Sequence, residues 1–183
     1  MTITDEQNLI RRLQDPSEQR NAFGEVVQTY SEPLYWQIRR LILNHDDAND
    51  VLQNTFLKAW KNIDYFRGDA KLSTWLYRIA INESLTFLNK QQATLSLTLE
   101  EVNEKQIEQL ASDPFFDGDE LQIELQKVIQ SLPEKQRIVF QMKYYEEMKY
   151  EEISEIVGTS VGALKASYHH AVKKIEDFFN HHL

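Results

Sequence analysis

The stretch from Tyr150 to Ile175 constrains the fold most, because its pattern predicts two helices joined by a tight turn. Acids at the first turn, Glu151 and Glu152, and apolar residues on one face, as far as Val157, predict a short helix. Gly158 stands where a helix would end with a residue at positive φ, and Ser160 is a suitable N-cap for the next helix. The second helix carries an apolar stripe at spacings of three and four, formed by Val161, Leu164, Tyr168, Val172 and Ile175.

The outward face of this second helix is basic or neutral. From Ile156 to Ile175 the sequence has no acidic residue, although the whole chain has a net charge of -9. A helical surface without acids suits contact with phosphate groups. The same pattern is typical of an ordinary amphipathic helix pair with a solvated basic face, and the helix pair alone leaves both interpretations open.

The composition predicts an all-α protein and excludes several classes of site. The 183 residues include 42% hydrophobic residues, enough for one or two packed domains, and only five glycines and four prolines. No apolar run approaches the roughly 18 residues of a membrane span, and the polar, acidic stretch from Met1 to Asp15 is unlike a signal peptide. We therefore expect a cytoplasmic protein without membrane insertion. The absence of cysteine excludes disulfides, thiolate zinc sites and a cysteine nucleophile.

The acidic charge is concentrated in one segment of the chain. Residues 91–120 contain eight acidic residues and one lysine, whereas residues 1–90 and residues 121–183 are nearly neutral. This distribution predicts two modules, residues 1–90 and 121–183, joined by an acidic linker, residues 91–120. Within the linker, Thr98 and Glu101 fit a capping box, which predicts a helix from Leu99 to Leu110.

Capping and helix-breaking residues divide residues 1–90 into five predicted helices. Their predicted starts or caps are Asp5, Ser17, Pro33, Asp46 or Asp47, and Ser73 or Thr74. We expect Trp60 to face inward near the end of the fourth helix. In the second module, an apolar stripe from Leu121 to Leu132 is expected to pack on the helix that follows Pro133.

Aromatic and basic residues are interleaved around the glycine-containing loop of the first module. They are Tyr65, Phe66, Arg67, Lys71, Trp75, Tyr77 and Arg78. Surfaces of this kind hold single-stranded nucleic acid by base stacking combined with charge. The alternative is that Phe66 and Trp75 are simply core residues.

These motifs, taken together, resemble the bacterial extracytoplasmic function family of RNA polymerase sigma factors. The runs Asp46–Trp60, Phe66–Gly68 and Thr74–Asn82 resemble sigma region two. The runs Ser131–Arg137, Tyr150–Ile153 and Ser160–Lys165 resemble sigma region four. The two motif sets follow the order and spacing of the family over about 150 residues, which is far more specific than an isolated helix pair.

The resemblance implies two binding surfaces in the first module. The helix that matches Asp46–Lys58 would dock on the β′ clamp of polymerase through Asp50, Gln53, Asn54 and Lys58, although the family usually has glutamate where this chain has Asn54. A solvated helix face is the alternative. The minus-ten promoter element would contact Phe66, Arg67, Gly68, Asp69, Ala70, Lys71, Trp75, Arg78 and Asn82. In the family, the loop captures a flipped base, whose unstacking costs a few kcal/mol; Asn82 would help select that base and Arg78 would hold phosphate.

The resemblance also implies that the second module binds the minus-thirty-five element as duplex DNA, with the helix from Val161 to Ile175 in the major groove. The implied contact residues are Ser160, Gly162, Ala163, Lys165, Ala166, Ser167, His169, His170 and Lys173. The family often has arginine where this chain has Ser167 and His170, so we expect weak DNA binding by the isolated module. A metal site formed by the histidine pair with His181 and His182 is an alternative, but adjacent histidines point to different helical faces.

The implied protein is a non-enzymatic initiation factor without a cofactor or metal. Its implied partners are RNA polymerase core, at the β′ clamp and the β flap, promoter DNA, and an anti-sigma factor, which in this family is often membrane-bound. The acidic linker would lie in the basic channel for nascent RNA, or else act as an inert tether. A free chain that closes its two modules on each other is a further expectation that the sequence leaves open.

Two other functions remain as alternatives from the sequence. One is a stand-alone helix-turn-helix regulator whose helical N-terminal part is a sensor. The other is a helical hydrolase, which is disfavoured because no Glu-x-x-His or His-Glu-x-x-His motif occurs and the carboxylates concentrate at helix starts and in the linker.

Overall fold

The computed structural model describes residues 3–95 and 119–182, and between them residues 98, 101, 104, 105, 107, 108, 110 and 113. The first half contains α1 (Ile3–Leu13), α2 (Gln19–Ile42), α3 (His45–Lys61), a 3-10 turn (Ile63–Tyr65) and α4 (Leu72–Leu95). The second half contains α5 (Glu120–Ser131), α6 (Glu134–Tyr144), α7 (Tyr150–Val157) and α8 (Val161–His182). Across these described ranges there is no strand, which confirms the predicted all-α class. The same ranges contain no helix that is both long and apolar enough to cross a membrane.

Helix α2 is continuous, although the sequence predicted two helices separated at Pro33. The proline lies inside α2 and removes one main-chain donor, a defect that costs about 3 kcal/mol in a helix interior. Residues on both sides of it, including Val26, Leu34 and Ile38, are completely buried in the core. Burial of this long apolar face offsets the lost hydrogen bond, so tertiary packing overrides the local signal.

The caps at the starts of α2 and α3 also differ from the predicted ones. Ser17 does not cap α2; its hydroxyl and its main-chain N–H both donate to the carboxylate of Asp15, at 2.7 and 2.9 Å. The cap of α3 is Asn44, whose side-chain oxygen accepts the N–H of Asp47 at 2.9 Å. Asp46 and Asp47 therefore lie in the first turn, where the helix dipole favours negative charge.

One apolar core runs through both halves of the chain. Leu13, Leu34 and Leu76 from the first half belong to the same buried cluster as Met142 and Ile153 from the second. A smaller cluster joins α5, α6 and α8 through Ile129, Leu132, Phe140 and Ala171. The two halves are thus packed against each other in this structure.

Two predictions of inward-facing residues were wrong. Leu121 is 52% exposed, because α5 reaches the core only with its last turns. Trp60 is 39% exposed, although its ring packs against Phe23 with 5.0 Å between centroids. A large ring at the edge of a helix face can bury one side and leave the other in solvent.

The described part of the linker packs on both halves. The capping box is confirmed, since Thr98 and Glu101 exchange side-chain and main-chain hydrogen bonds of 2.6 to 3.2 Å. Leu99, the predicted start of the helix, lies outside the described residues, but Leu110 at its end is helical and buried. Ile107 and Leu110 pack against Leu43, the left-handed C-cap of α2 at φ 62°.

Candidate nucleic-acid interface

Helices α7 and α8 form the predicted helix pair with the predicted turn. Gly158 ends α7 at φ 69°, and its N–H donates to the carbonyl of Ser154 at 2.9 Å. The hydroxyl of Ser160 accepts the N–H of Ala163 at 3.4 Å, which confirms the predicted cap. Helix α8 extends to His182, beyond the predicted end at Ile175.

The outward face of α8 presents the residues that the sequence assigned to duplex DNA. Eight of them are exposed and Ser167 is half-buried; the exposed ones are Ser160, Gly162, Ala163, Lys165, Ala166, His169, His170 and Lys173. Leu164, which alternates with them, is buried at 1% exposure. The helix therefore separates a buried stripe from an open face free of acids as far as Ile175.

The rings of the two adjacent histidines of α8 are neighbours, inclined at 56° to each other. The ring centroids of His169 and His170 are 6.0 Å from each other. Nδ1 of His181 is 2.6 Å from the carbonyl oxygen of Asp177, one turn earlier in the same helix. Over the residues that the structure describes, no group of three histidines or carboxylates is arranged to hold a metal ion.

The loop from Phe66 to Lys71 combines a buried anchor with exposed polar residues. Phe66 is 6% exposed and packs on the half-buried Trp75, with 4.9 Å between ring centroids. The exposed members of the predicted set in this loop are Arg67, Gly68, Asp69 and Lys71, and Ala70 is half-buried. Gly68 adopts φ 77°, a conformation that costs glycine little and side-chain-bearing residues more. Phe66 is therefore a core residue, which was the alternative left open by the sequence, and Trp75 lies at the edge of the core.

Helix α4 begins at Leu72, one or two residues before the predicted start. The carboxylate of Glu6, on α1, accepts the N–H of Leu72 at 2.8 Å. This contact spans 66 positions in sequence, so no local pattern could reveal it. Because Glu6 satisfies an N–H of the first turn, it fixes the end of the loop relative to α1.

Arg78 and Asn82 follow Lys71 along the exposed side of α4 and face α7. Nζ of Lys71 lies 2.7 Å from the carboxylate of Glu152, and Arg78 donates to the main-chain carbonyl of Glu155. The hydrogen bond from Lys71 lowers the pKa of Glu152, and the same pair raises the pKa of Lys71. Two of the minus-ten candidates, Lys71 and Arg78, are therefore in contact with the second half of the chain.

A groove of about 170 Å³ runs between α4 and the second half of the chain. Asn82 lies on its wall, and Ser167 of α8 lies on the wall as well. Its apolar lining includes Ile81, Ile138 and Ile156. One candidate from each predicted DNA surface therefore faces the same groove.

The exposed face of α3 carries the four residues that the resemblance assigned to polymerase. Asp50, Gln53, Asn54 and Lys58 are all exposed, and Nζ of Lys58 lies 2.6 Å from the carboxylate of Glu83. Burial raises the pKa of Asp47 next to this face, and the charges of Asp50 and Asp46 raise it further. The face is thus acidic at its start and basic at its end.

Two exposed apolar residues near these surfaces were absent from the sets assigned to polymerase and to the minus-ten element, although Tyr65 belongs to the interleaved aromatic and basic residues. Leu57 is 56% exposed and lies one turn after Gln53 and Asn54, on the same face of α3. Tyr65 is 80% exposed and directly precedes the Phe66 loop. The helical spacing of Leu57 could have identified it, whereas the outward position of Tyr65 depends on the turn between α3 and α4.

Comparison with known proteins identifies the family. The family model for sigma-70 region 2 matches residues 26–94, and the model for sigma-70 region 4 matches residues 122–175. The chain is 33% identical over 158 residues to the ECF RNA polymerase sigma factor SigW of Bacillus subtilis, covering 82% of this chain and 84% of that protein. It is 30% identical over 183 residues to the ECF RNA polymerase sigma-E factor of Escherichia coli, covering 96% and 94%. The chain belongs to the extracytoplasmic function (ECF) family of sigma factors.

Two solved structures share the fold of this ECF sigma factor. CnrH in complex with the cytosolic domain of CnrY superimposes with a TM-score of 0.70 at 21% identity, covering 96% of this chain and 97% of that one. RpoE from Bartonella quintana in complex with the anti-sigma factor NepR gives a TM-score of 0.66 at 20% identity, covering 86% and 96%. At these identities the likeness establishes the fold alone.

The family membership decides the general function. The protein is a sigma factor that binds RNA polymerase and recognises promoters, and sigma factors are non-enzymatic initiation factors. The match to region 2 disfavours a stand-alone regulator, which would need only the helix-turn-helix. The hydrolase alternative has no support from any of these comparisons.

Proposed function

We propose that this ECF sigma factor uses residues 1–90 to bind the β′ clamp and the melted minus-ten element, and residues 121–183 to bind the duplex minus-thirty-five element. The observation that carries the proposal is that Lys71, just before α4, and Arg78 and Asn82, on α4, are all exposed and follow the loop around Gly68 in the chain. Cations next to an amide and an open loop suit a displaced strand, which needs phosphate contacts and one base-selecting group.

The face of α3 is the proposed contact with the polymerase clamp. Asp50, Gln53, Asn54 and Lys58 are exposed polar residues on the same helix as the exposed Leu57. A single apolar anchor surrounded by polar side chains is the usual anatomy of a protein interface. Leu57→Ala should weaken binding to core polymerase by about 1–2 kcal/mol, whereas Glu124→Ala, at a partly exposed position of α5, should not.

The open face of α8 is the proposed reader of the minus-thirty-five element. Lys165 can contact a guanine edge or a phosphate, and Ala163 and Ala166 can contact thymine methyl groups. Ser167 and His170 supply less phosphate attraction than arginine would. The second half alone should therefore bind duplex DNA weakly and depend on polymerase for promoter occupancy.

The proposal also assigns a position to the acidic linker and an inhibitory partner to the protein. Residues 91–120 occupy the polymerase channel for nascent RNA, where their negative charge excludes DNA and suits basic walls. An anti-sigma factor, soluble or membrane-bound, covers the polymerase and DNA surfaces. The proposal is supported by the fold shared with RpoE from Bartonella quintana, whose structure contains the anti-sigma factor NepR. A pull-down in which no partner competes with polymerase for this protein would refute the proposal of an anti-sigma factor.

A pair of substitutions tests the two base-reading roles. Asn82→Ala should weaken promoter opening by about 1–3 kcal/mol, mainly for variants of one minus-ten base. Lys165→Ala should instead weaken upstream duplex binding by a similar amount. Transcription from a panel of single-base promoter variants separates these effects. Equal loss by both variants on every promoter would refute the assigned roles.

A further inference from the structure

A groove of about 180 Å³ at the carboxyl end of α2 shares no lining residue with the surfaces assigned to polymerase and DNA. We propose that this groove, which we call the Trp36 groove, binds a small uncharged planar molecule with an amide edge, such as a pyrimidine or purine base. Its lining residues are Trp36, Arg39 and Arg40 of α2, the C-cap Leu43, Leu110 of the linker, Gln126 of α5, and Tyr145 at the end of α6.

Two polar atoms of the Trp36 groove are buried without a hydrogen-bond partner among the residues that the structure describes. They are Nη1 of Arg39 and Oε1 of Gln126. Arg39 is only 5% exposed, and its Nη2 pairs with Asp113 of the linker. The side-chain nitrogen of Gln126 donates to the hydroxyl of Tyr145 at 3.3 Å. One donor and one acceptor in the same groove are therefore unused, and each costs free energy until a partner satisfies it.

The other walls of the Trp36 groove are aromatic and apolar. Trp36 is 43% exposed, and the ring of Tyr145 carries the guanidinium of Arg40 at 4.5 Å from its centroid. Leu43 and Leu110 belong to one small buried cluster. Walls of this composition favour a flat ring system, which stacks on aromatic side chains. The volume is below the roughly 300–1,000 Å³ of sites for drug-sized ligands, so it suits a single ring system.

The charges around the groove are already balanced, which favours an uncharged ligand. Arg39 pairs with Asp113, and these side chains are 6% and 11% exposed. Arg40 pairs with Glu146, and these side chains are 23% and 16% exposed. An anionic ligand would therefore gain no unpaired cation, and it has no donor for Gln126. A neutral amide edge has both groups, because its carbonyl oxygen accepts from Arg39 and its N–H donates to Gln126.

Entry of the ligand requires a shift of the groove wall, because the two unused atoms are covered in the structure. Trp36 is the most exposed of the lining residues, and the others are half-buried or buried. It is therefore the side chain with the most freedom to move. The environment of its indole N–H should change when the groove is occupied.

Titration of the full chain with uracil, followed by two-dimensional proton–nitrogen NMR, tests the site. The chain has three tryptophans, so three indole signals are expected, and Trp36→Phe assigns the signal of interest. Uracil should shift the Trp36 signal with a dissociation constant of about 0.1–1 mM, the range for a ligand of so few atoms. The Trp75 signal reports whether the base stacks at the minus-ten loop instead.

A methylated ligand tests the amide edge. The compound 1,3-dimethyluracil keeps the ring and both carbonyl groups but has no N–H. It should bind at least about tenfold more weakly than uracil, because it leaves Oε1 of Gln126 without a donor. Benzoate, a planar anion of similar size, should bind more weakly than uracil as well.

A substitution on α5 tests the position of the ligand. Gln126→Leu removes the unused acceptor and should weaken uracil binding about tenfold, since the ligand N–H is then unpaired. Gln122→Leu, the same change at an exposed position one turn earlier in α5, is the matched control and should leave binding unchanged. Thermal unfolding followed by circular dichroism verifies that both variants are folded.

A saturable shift of the Trp36 signal, weakened by methylation of the ligand and by Gln126→Leu, supports the inference. Absence of any shift at about 10 mM uracil, ten times the weakest expected constant, overturns it and leaves ordered water as the partner of both atoms. A shift confined to Trp75, or equal binding by folded Gln126→Leu, overturns the position of the site. Equal binding of 1,3-dimethyluracil, or tighter binding of benzoate, overturns recognition of an amide edge. None of these outcomes depends on promoter or polymerase binding.

Discussion

The same substitution, glycine to alanine, should have opposite effects on stability at two positions of this chain. Gly158 joins α7 to α8 at φ 69° and ψ 29°, and a Cβ placed there would have no atom within 4 Å. Steric contact with neighbours is therefore absent, and the cost of alanine is the intrinsic cost of the left-handed conformation, about 1–2 kcal/mol. Alanine also lowers the conformational entropy of the unfolded chain, which stabilises the folded state by about 0.4–1 kcal/mol. Gly158→Ala should lower the free energy of unfolding by about 1 kcal/mol.

Gly24 provides the matched control. It lies on the exposed side of α2 with ordinary helical geometry, and a Cβ there would also have no atom within 4 Å. Alanine is the better helix former, so Gly24→Ala should raise the free energy of unfolding by about 0.5–1 kcal/mol. Gly158→Asn should cost less than Gly158→Ala, because asparagine tolerates the left-handed region.

Urea unfolding followed by far-ultraviolet circular dichroism measures all three variants. The two alanine variants should differ by about 2 kcal/mol in unfolding free energy at unchanged m-value. Gly158→Ala should also weaken duplex binding by α8, since the turn sets the angle of that helix. Equal stability of the two alanine variants would refute the claim that a left-handed residue defines the turn.

Other substitutions should act through caps, buried polar groups and ion pairs. Asn44→Ala removes the cap of α3 and should cost about 1 kcal/mol in thermal or urea unfolding. Gln37 is completely buried and its side-chain amide has no hydrogen-bond partner among the described residues, so Gln37→Met should stabilise the protein by about 1–3 kcal/mol. The pKa of Glu152 lies below its ordinary 4.5 because of Lys71, so their pair stabilises above that pH and is lost as the pH falls. Glu152→Gln should reduce the loss of unfolding free energy at acidic pH by no more than about 1 kcal/mol, because the pair is partly exposed to solvent.

The positions of most helices could be predicted because apolar periodicity and capping are local signals. The turn at Gly158 and the cap at Ser160 were predicted from single residues whose preferences match the conformations they adopt. The candidate residues of α3, α4, α8 and the loop from Phe66 to Lys71 are exposed, apart from the buried Phe66 and the half-buried Ala70, Trp75 and Ser167. Local sequence therefore predicts most of this surface.

The errors arose where distant parts of the chain decide local structure. Pro33 was read as a helix start, but the buried residues around it hold α2 together as one helix. The start of α4 depends on Glu6, far away in sequence. The exposure of Leu121 follows from where α5 meets the core. Periodicity carries no information about such contacts.

The contact between the two halves could not be derived from the sequence. Arg40 and Glu146 are 106 positions apart, and each is unremarkable in its own helix or turn. Charge counting predicted two modules and a linker but not their arrangement. Only the folded chain brings Lys71 and Arg78 against α7.

The most direct measurement is run-off transcription with core polymerase from a related bacterium, this protein and a pool of promoter fragments. A promoter-selecting subunit should give transcripts that require the protein and that share two spaced elements, with Asn82→Ala altering selection in the downstream element and Lys165→Ala in the upstream one. Absence of transcripts, together with stable binding of one duplex site by the protein alone, would contradict the assignment as a promoter-selecting polymerase subunit.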